Sequence, residues 1–425
     1  MMKTFELQYG SGTVSVGVKE ADIIGELKGN TVPPVSDIKA ALYASLGSPI
    51  DSPSLQERAK GAKSVALVVS DMSRFWMRQD LVIPHLVAYL ETECGIALSD
   101  ITVVIANGTH APGSEEELRT LVTDAVFDAV NVINHDCRAD DLVYMGTTSF
   151  GNRITVNRTV AEADLVVCLG ACTHHVMAGF GGGRKSILPG VSSLETINYN
   201  HAFSLDSEAP RSNPLIGNGV LEGNPLHLDM SEAAAMVKNL FVINLVMNGE
   251  MQLSSIFSGH YMTSWLRGCE EVNRIYQVPV KEKADVIITS CGGYPKDMSL
   301  YQGTKAIDNV ESGLKPGGTL IILMEAREGG GAPAYFDWLQ SLKKGTLYED
   351  LKANFTIPGY IFFLNCEQAS RYRIMMLTSV APELVAPMGI EAFNNMEDLL
   401  KAADIEGKSV YVIENASTVI PCVKG

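Results

Sequence analysis

Short β-rich apolar runs alternate with helical stretches along this chain. Ser64–Ser70, Ile101–Ala106, Leu165–Leu169, Asp285–Ser290, Thr319–Met324 and Ser409–Glu414 are all of strand length. Two of them, Val65-Ala-Leu-Val-Val69 and Val286-Ile-Ile-Thr289, are apolar on both faces, as strands of a parallel sheet must be when helices cover each side. The alternation predicts an α/β fold with mainly parallel sheets flanked by helices. Ser114 followed by Glu115, Glu116 and Glu117 predicts a helix start, because a serine caps free backbone N–H groups and acids complement the helix dipole.

A chain of 425 residues exceeds what one hydrophobic core usually supports, which predicts two domains. The polar, proline-bearing stretch Tyr276-Gln-Val-Pro-Val-Lys-Glu-Lys283, followed by a fresh strand pattern at Ala284, puts the boundary at about residue 275. The domains expected are therefore 1–275 and 276–425. Residues 209–224, rich in Pro, Gly, Ser and Asn, read as a loop within the first domain.

Polar residues capable of chemistry cluster just after the strands. Asp71 and Arg74 follow the first run, Asn107 to His110 the second, Thr173 to His175 the third, and Gly292 to Asp297 the fourth. Ligands of open α/β sheets bind beyond the carboxyl ends of strands, so these groups are expected to converge, in a crevice between the domains.

Composition narrows the classes. Hydrophobic residues are 46% and charged residues 19%, an ordinary globular balance, and the apolar runs are too short to span a bilayer. No membrane partner is expected, and the N-terminal stretch lacks a signal-peptide core, so the expected location is cytoplasmic. A net charge of −16 without a basic run argues against nucleic acid. The eight cysteines are scattered and read as buried free thiols, with no second pair to complete a zinc site for Cys168 and Cys172.

The richest segment is His174-His175-Val-Met-Ala-Gly-Phe-Gly-Gly-Gly-Arg-Lys185-Ser-Ile-Leu-Pro-Gly190, with His201 beyond it. Glycines permit close backbone approach, lysine can hold phosphate or form a covalent bond, and histidine can ligate metal or carry protons. The common phosphate loops do not fit. A Walker loop read from Gly179 needs glycine where Arg184 stands, and a dinucleotide fingerprint ends on Arg184 or Ser186. From the residues alone, a bound cofactor and a merely flexible loop both stay open.

The spacing His175-x9-Lys185-x15-His201, together with Asp71-Met-Ser-Arg74, Asn-Gly-Thr-His110, Glu195-Thr-Ile, Gly-Gly-Tyr294-Pro and Tyr301-Gln302-Gly-Thr-Lys305, resembles the nickel-pincer-nucleotide racemases and epimerases, the lactate racemase family. These motifs span most of residues 65 to 305. The resemblance implies a nickel-pincer nucleotide, a pyridinium-3-thioamide-5-thiocarboxylic acid mononucleotide, joined to Lys185, with His201 completing the nickel coordination. Soft sulfur donors plus one imidazole suit Ni(II) in a planar geometry. It further implies racemisation or epimerisation of a 2-hydroxy acid by hydride removal and return, with His110 and His175 as acid/bases on opposite sides. Arg74, Gln302 and Lys305, with Tyr301 beside them, are then substrate anchors. Asp71 orients Arg74 or touches the cofactor, and Gly181, Gly182 and Gly183 let backbone N–H groups approach its phosphate.

Of the two adjacent histidines only one is expected in catalysis, and the spacing to Lys185 favours His175 over His174. His85, His135, His227 and His260 are read as structural. Two departures from the family pattern stand out: Phe75-Trp76-Met77 follows Arg74 where many relatives have proline, and Ala111 follows His110 where arginine is frequent. They predict a reshaped pocket and weigh against lactate as the substrate; Trp76 is a candidate for an apolar wall and Arg184, if it faces the pocket, for reaching a second acidic group. Proteins that make and load the cofactor are expected partners. Two other classes are compatible with the same residues: a protein that holds the nickel cofactor without turnover, and a nucleotide-dependent transferase.

Overall fold

The computed structural model describes residues 1–332 and 334–423. The chain forms two compact units. The first comprises Thr31–Phe203 and Leu215–Arg274; the second comprises Met1–Asn30, Ser204–Pro214 and the chain from Ile275 onward.

The first unit is built on a six-stranded sheet of β1 (Val65–Ser70), β2 (Ile101–Ala106), β3 (Asn131–Asn134), β4 (Leu165–Cys172), β5 (Leu240–Met247) and β6 (Leu253–Gly259). Their spatial order is β6-β5-β4-β1-β2-β3, parallel throughout except for β6. Every residue of β4 and β5 is buried, which explains why these strands carry no polar alternation. One face packs Leu67, Val69, Ile105, Leu169 and Ile243 with Leu42, Leu46, Leu86 and Leu90. Each such side chain contributes about 1.5–3 kcal/mol by leaving water. The helix Glu115–Val122 starts as its sequence predicts: Ser114 accepts from the Glu117 N–H while the Glu117 carboxylate accepts from the Ser114 N–H.

The direction of chain progression reverses at β1. From it the chain steps outward to β2 and β3, then returns to lay β4 and β5 on its other side. The loops leaving β4, β1 and β2 are therefore neighbours at the carboxyl edge, and they carry His175, Asp71 and His110.

The second unit holds an all-parallel six-stranded sheet in the order Ile390–Phe393, Arg373–Leu377, Leu314–Leu323, Ala284–Ser290, Val410–Ile413, Ile23–Leu27. Its last strand comes from the chain's beginning. An antiparallel hairpin, Met2–Tyr9 with Gly12–Lys19, lays Phe5, Leu7, Val16 and Val18 onto Val286, Ile288, Ile321, Leu323 and Met375. Where the sequence reading gave residues 1–275 to one domain, Met1–Asn30 instead joins the second unit, because its edge strand pairs with Val410–Ile413. Part of the 209–224 loop does the same: Ser212 donates from its backbone to the Glu367 carboxylate, and Tyr348 donates to the Asp206 carbonyl. All eight cysteines are free thiols.

Leu7 is fully buried in this hairpin. Leu7→Ala should cost about 2–5 kcal/mol, read as a shift of the denaturant midpoint. A loss far below that would show that the hairpin is not part of the core.

Candidate active site

Asp71 ends β1 and caps the short helical turn that follows, its Oδ1 accepting from the Ser73 N–H and hydroxyl. Its other oxygen, Oδ2, lies 2.5 Å from His110 Nδ1. A carboxylate can only accept, so Nδ1 carries the proton and Nε2 presents a lone pair outward, on a side chain 46% exposed. Burial pushes the Asp71 carboxyl up, but His110, the Ser73 hydroxyl and the Arg74 charge outweigh it and hold it below the usual range. The sequence reading had Asp71 orient Arg74 or touch the cofactor. Its hydrogen-bond partner across the sheet is His110, and the arginine bonds to Ser73.

The β4 chain continues into His174–His175, which pairs antiparallel with Gly179–Phe180. The two histidines point to different surroundings. His174 donates from Nε2 to Asn273, and burial brings it down to about 4. His175 Nδ1 accepts from the N–H groups of Met177 and Ala178, and its Nε2 lies 3.1 Å from Lys185 Nζ. It is His175, not His174, that meets Lys185.

The glycine run between them is shaped by the chain's own packing. Gly182 and Gly183 have φ of +72° and +53°. A Cβ on Gly182 would sit 2.8 Å from the Ala171 carbonyl oxygen, and one on Gly183 would sit 2.6 Å from the Trp265 ring. Gly181 donates to the Thr173 carbonyl and accepts from the Trp265 indole N–H. Arg184 is fully buried, donating to the carbonyls of Phe180 and Ala178, with its guanidinium 3.8 Å from the centre of the Trp265 ring. The expectation that Arg184 reaches an acidic substrate group is therefore wrong. Burial pulls its guanidinium down to about 9, still cationic at neutral pH. Trp76 is half-buried and packs on the first unit's core.

The loops are tied together. Lys185 O accepts from the Gly190 N–H, and Gly190 O accepts from the Gly108 N–H, two residues before His110. His201 lies on the helix Leu194–Ala202, 2% exposed, donating from Nδ1 to the Ile197 carbonyl. Burial first, and then the Lys185 charge, bring it down to about 3, so the ring is neutral with its lone pair on Nε2. That is the form a metal requires. Among the described residues no cluster of three or more His, Cys, Asp or Glu could hold a metal. One ready imidazole beside a lysine fits a metal that arrives with most of its donors already bound.

In the second unit, Tyr301, Gln302 and Lys305 lie on the helix Leu300–Val310, with Lys305 Nζ donating to Gln302 Oε1 at 2.8 Å. Sequence reasoning named Lys296 only within the Gly292–Asp297 run. It donates to Ser417 at 2.6 Å, and burial lowers it to about 8. Trp265, Asn273 and the dyad role of Asp71 were missed, since nothing in their own segments marks the residues they meet.

Residues 9–213 match the Lactate racemase N-terminal domain family and residues 280–421 the Lactate racemase C-terminal domain family. The lactate racemase of Thermoanaerobacterium thermosaccharolyticum is 32% identical over 346 residues, 80% of this chain and 79% of that protein. The chain belongs to the lactate racemase family. As a lactate racemase family member it is an isomerase. The lactate racemase of Lactiplantibacillus plantarum is 28% identical over 99% of this chain and 98% of its own length. The solved lactate racemase apoprotein from Thermoanaerobacterium thermosaccharolyticum superposes with a TM-score of 0.89 at 28% identity, covering 99% of this chain and all of that one. A Thermotoga maritima protein shares the fold, with a TM-score of 0.66 at 16% identity over 94% of this chain and all of that one.

Gly183→Ala should destabilise the first unit by about 2–5 kcal/mol, combining a left-handed φ with a clash against the indole. Thermal or denaturant unfolding reads this, and a cost under about 0.5 kcal/mol would mean that the ring yields freely.

Proposed function

We propose that this isomerase inverts the hydroxyl-bearing carbon of a 2-hydroxy acid, using a nickel-pincer nucleotide tethered to Lys185. The observation that carries the reading is a pair of imidazoles, His110 and His175, on the loops that leave β2 and β4, either side of β1, tied by the Gly108–Gly190 hydrogen bond. Inversion needs a proton acceptor and donor on each side of the substrate, and two histidines supply them.

Lys185 would hold the nucleotide and His201 the nickel. When bound, that group supplies the site that takes and returns the Cα hydride. The chain's own residues do the rest. His110, with Nδ1 fixed on Asp71, accepts the hydroxyl proton at Nε2, and the Asp71 charge stabilises the imidazolium that results. His175 serves the opposite enantiomer. Arg74 offers a planar fork and Lys305 a point charge for the substrate carboxylate, with Gln302 and Tyr301 as hydrogen-bonding neighbours. Gly182 and Gly183 remain proposed cofactor contacts through their backbone N–H groups, although their missing Cβ atoms are already required by Ala171 and Trp265; the Gly181 N–H, proposed with them, is taken by the Thr173 carbonyl. Phe75, Trp76 and Ala111 make the substrate's side chain a matter for a panel of 2-hydroxy acids that includes lactate.

The test is coexpression with the proteins that make and load the cofactor. Intact mass should rise by one covalent adduct with near-stoichiometric nickel, and both should be lost in Lys185→Ala. His110→Ala should keep nickel yet lose racemisation, measured as decay of optical activity. Unchanged racemisation in that variant would sink the acid/base assignment, and retained nickel with no turnover in the wild type would favour a holding protein. Asp71→Asn should retain nickel and slow turnover by about 10²–10⁴, with little change in KM. An equal loss of nickel would make Asp71 a cofactor contact instead.

A further inference from the structure

One buried carboxylate gathers donors from two other elements of the first unit. Asp229, on the helix Pro225–Ala235, is fully buried, with no ion-pair partner among the described residues. Its Oδ1 accepts from the Thr148 hydroxyl at 2.6 Å, and its Oδ2 from the side-chain amides of Asn152 and Asn200, each at 2.8 Å. A buried carboxylate is costly unless its lone pairs are filled, and these three neutral donors take up its charge. Thr148 and Asn152 belong to the turn between the paired strands Val143–Thr147 and Arg153–Val156, whereas Asn200 stands on Leu194–Ala202, immediately before His201.

The carboxylate grips that helix twice. Asn200 Nδ2 directs its two hydrogens to Asp229 and the Leu226 carbonyl, and Asn152 Nδ2 directs its two to Asp229 and the Thr196 carbonyl, one turn earlier. Turning the Asn200 amide over would set its oxygen against two acceptors, so its orientation is fixed. The His201 bond from Nδ1 to the Ile197 carbonyl holds the ring to its own helix and leaves the helix's position to these other contacts. Successive helical residues point about 100° apart, so fixing Asn200 fixes the direction of His201. The helix that carries Asp229 also backs the two neighbouring segments: Asn224 at its start donates to the Met177 carbonyl at 2.9 Å, in the turn that grips His175, and His227 stacks on Trp265, which holds Arg184.

We propose that Asp229 is a positioning residue that, through Asn200, sets His201 in the same frame as the Lys185 loop. This rests on the reading of His201 as the nickel ligand. A metal-bearing group tethered at Lys185 meets His201 only where the two keep their spacing, and the helix Pro225–Ala235 fixes both to one body.

The experiment moves protein coexpressed with the cofactor-making proteins into a chelator, following nickel by elemental analysis and the Lys185 adduct by intact mass. Asn200→Ala and Asp229→Ala should release nickel at least about tenfold faster than wild type, with the adduct unchanged. Asp229→Asn, which can turn its oxygen to both amides and its NH2 to the Thr148 oxygen, should recover most of that loss. Thr148→Val removes the Oδ1 partner and leaves both amides in place; it should lower the unfolding midpoint yet release nickel at the wild-type rate. The chain made without the cofactor gives a second reading through labelled imidazoles. His201 should show one sharp pair of nitrogen-15 resonances, with Nδ1 protonated, in the wild type and in Thr148→Val, and exchange-broadened or doubled ones in Asn200→Ala. A wild-type release rate in Asn200→Ala, an equal acceleration in Thr148→Val, or a single sharp His201 pair in Asn200→Ala overturns the proposal. Where Asp229→Ala does not fold, Asn200→Ala carries the test. Where the wild type takes up no nickel, the resonances decide alone, so failure of the nickel reading and failure of the positioning are told apart.

Discussion

A buried guanidinium holds the centre of the first unit's functional edge. Among the described residues no carboxylate pairs with Arg184, so its charge is carried by two backbone carbonyls and the face of Trp265. Stripping a cation of water costs several kcal/mol unless its donors are satisfied. The segment from Ala178 to Arg184 must therefore fold back on its own side chain, and that is only possible if Gly182 and Gly183 take left-handed backbone against Ala171 and the indole. The direction in which Lys185 leaves the loop is thus set one residue earlier, by a fully buried side chain.

The same constraint separates the two histidines. His110 sits on an exposed turn with the Asp71 carboxylate behind its Nδ1. His175 is gripped by backbone donors in a hairpin whose far strand belongs to the Arg184 loop. One imidazole is tuned by charge and the other by the peptide backbone, although each stands at the end of a parallel strand next to β1. The symmetric task proposed for them would fall to unlike groups.

The strands and their carboxyl-end clusters were legible because burial on both faces leaves a continuous apolar run, and because catalytic side chains at a sheet edge follow such runs at once. Asp71, His110 and His175 were marked this way, Lys185 came from the glycine-rich segment, and their motif spacing then pointed to the family. What stayed hidden were pairings set by tertiary approach. Arg184 was a candidate for reaching an acidic group only if it faced the pocket; its fate is decided by Trp265, which lies on a distant helix, Thr263–Tyr276. The alternation of Phe5, Leu7, Val16 and Val18 marks a strand pair, but nothing local says that the partner sheet begins near residue 284.

That last pairing bears on synthesis. The slot beside Val410–Ile413 is filled by Ile23–Leu27, made long before it in translation. At about 5–20 residues per second, roughly 20–80 s separate the two strands' emergence. Throughout that interval the apolar side of the N-terminal hairpin and the edge of Ile23–Leu27 have no native cover, while the first unit, encoded between them, can already close. The interleaved topology therefore leaves the segment from Met2 to Leu27 uncovered while the first unit folds, and makes it a natural client for a ribosome-associated chaperone.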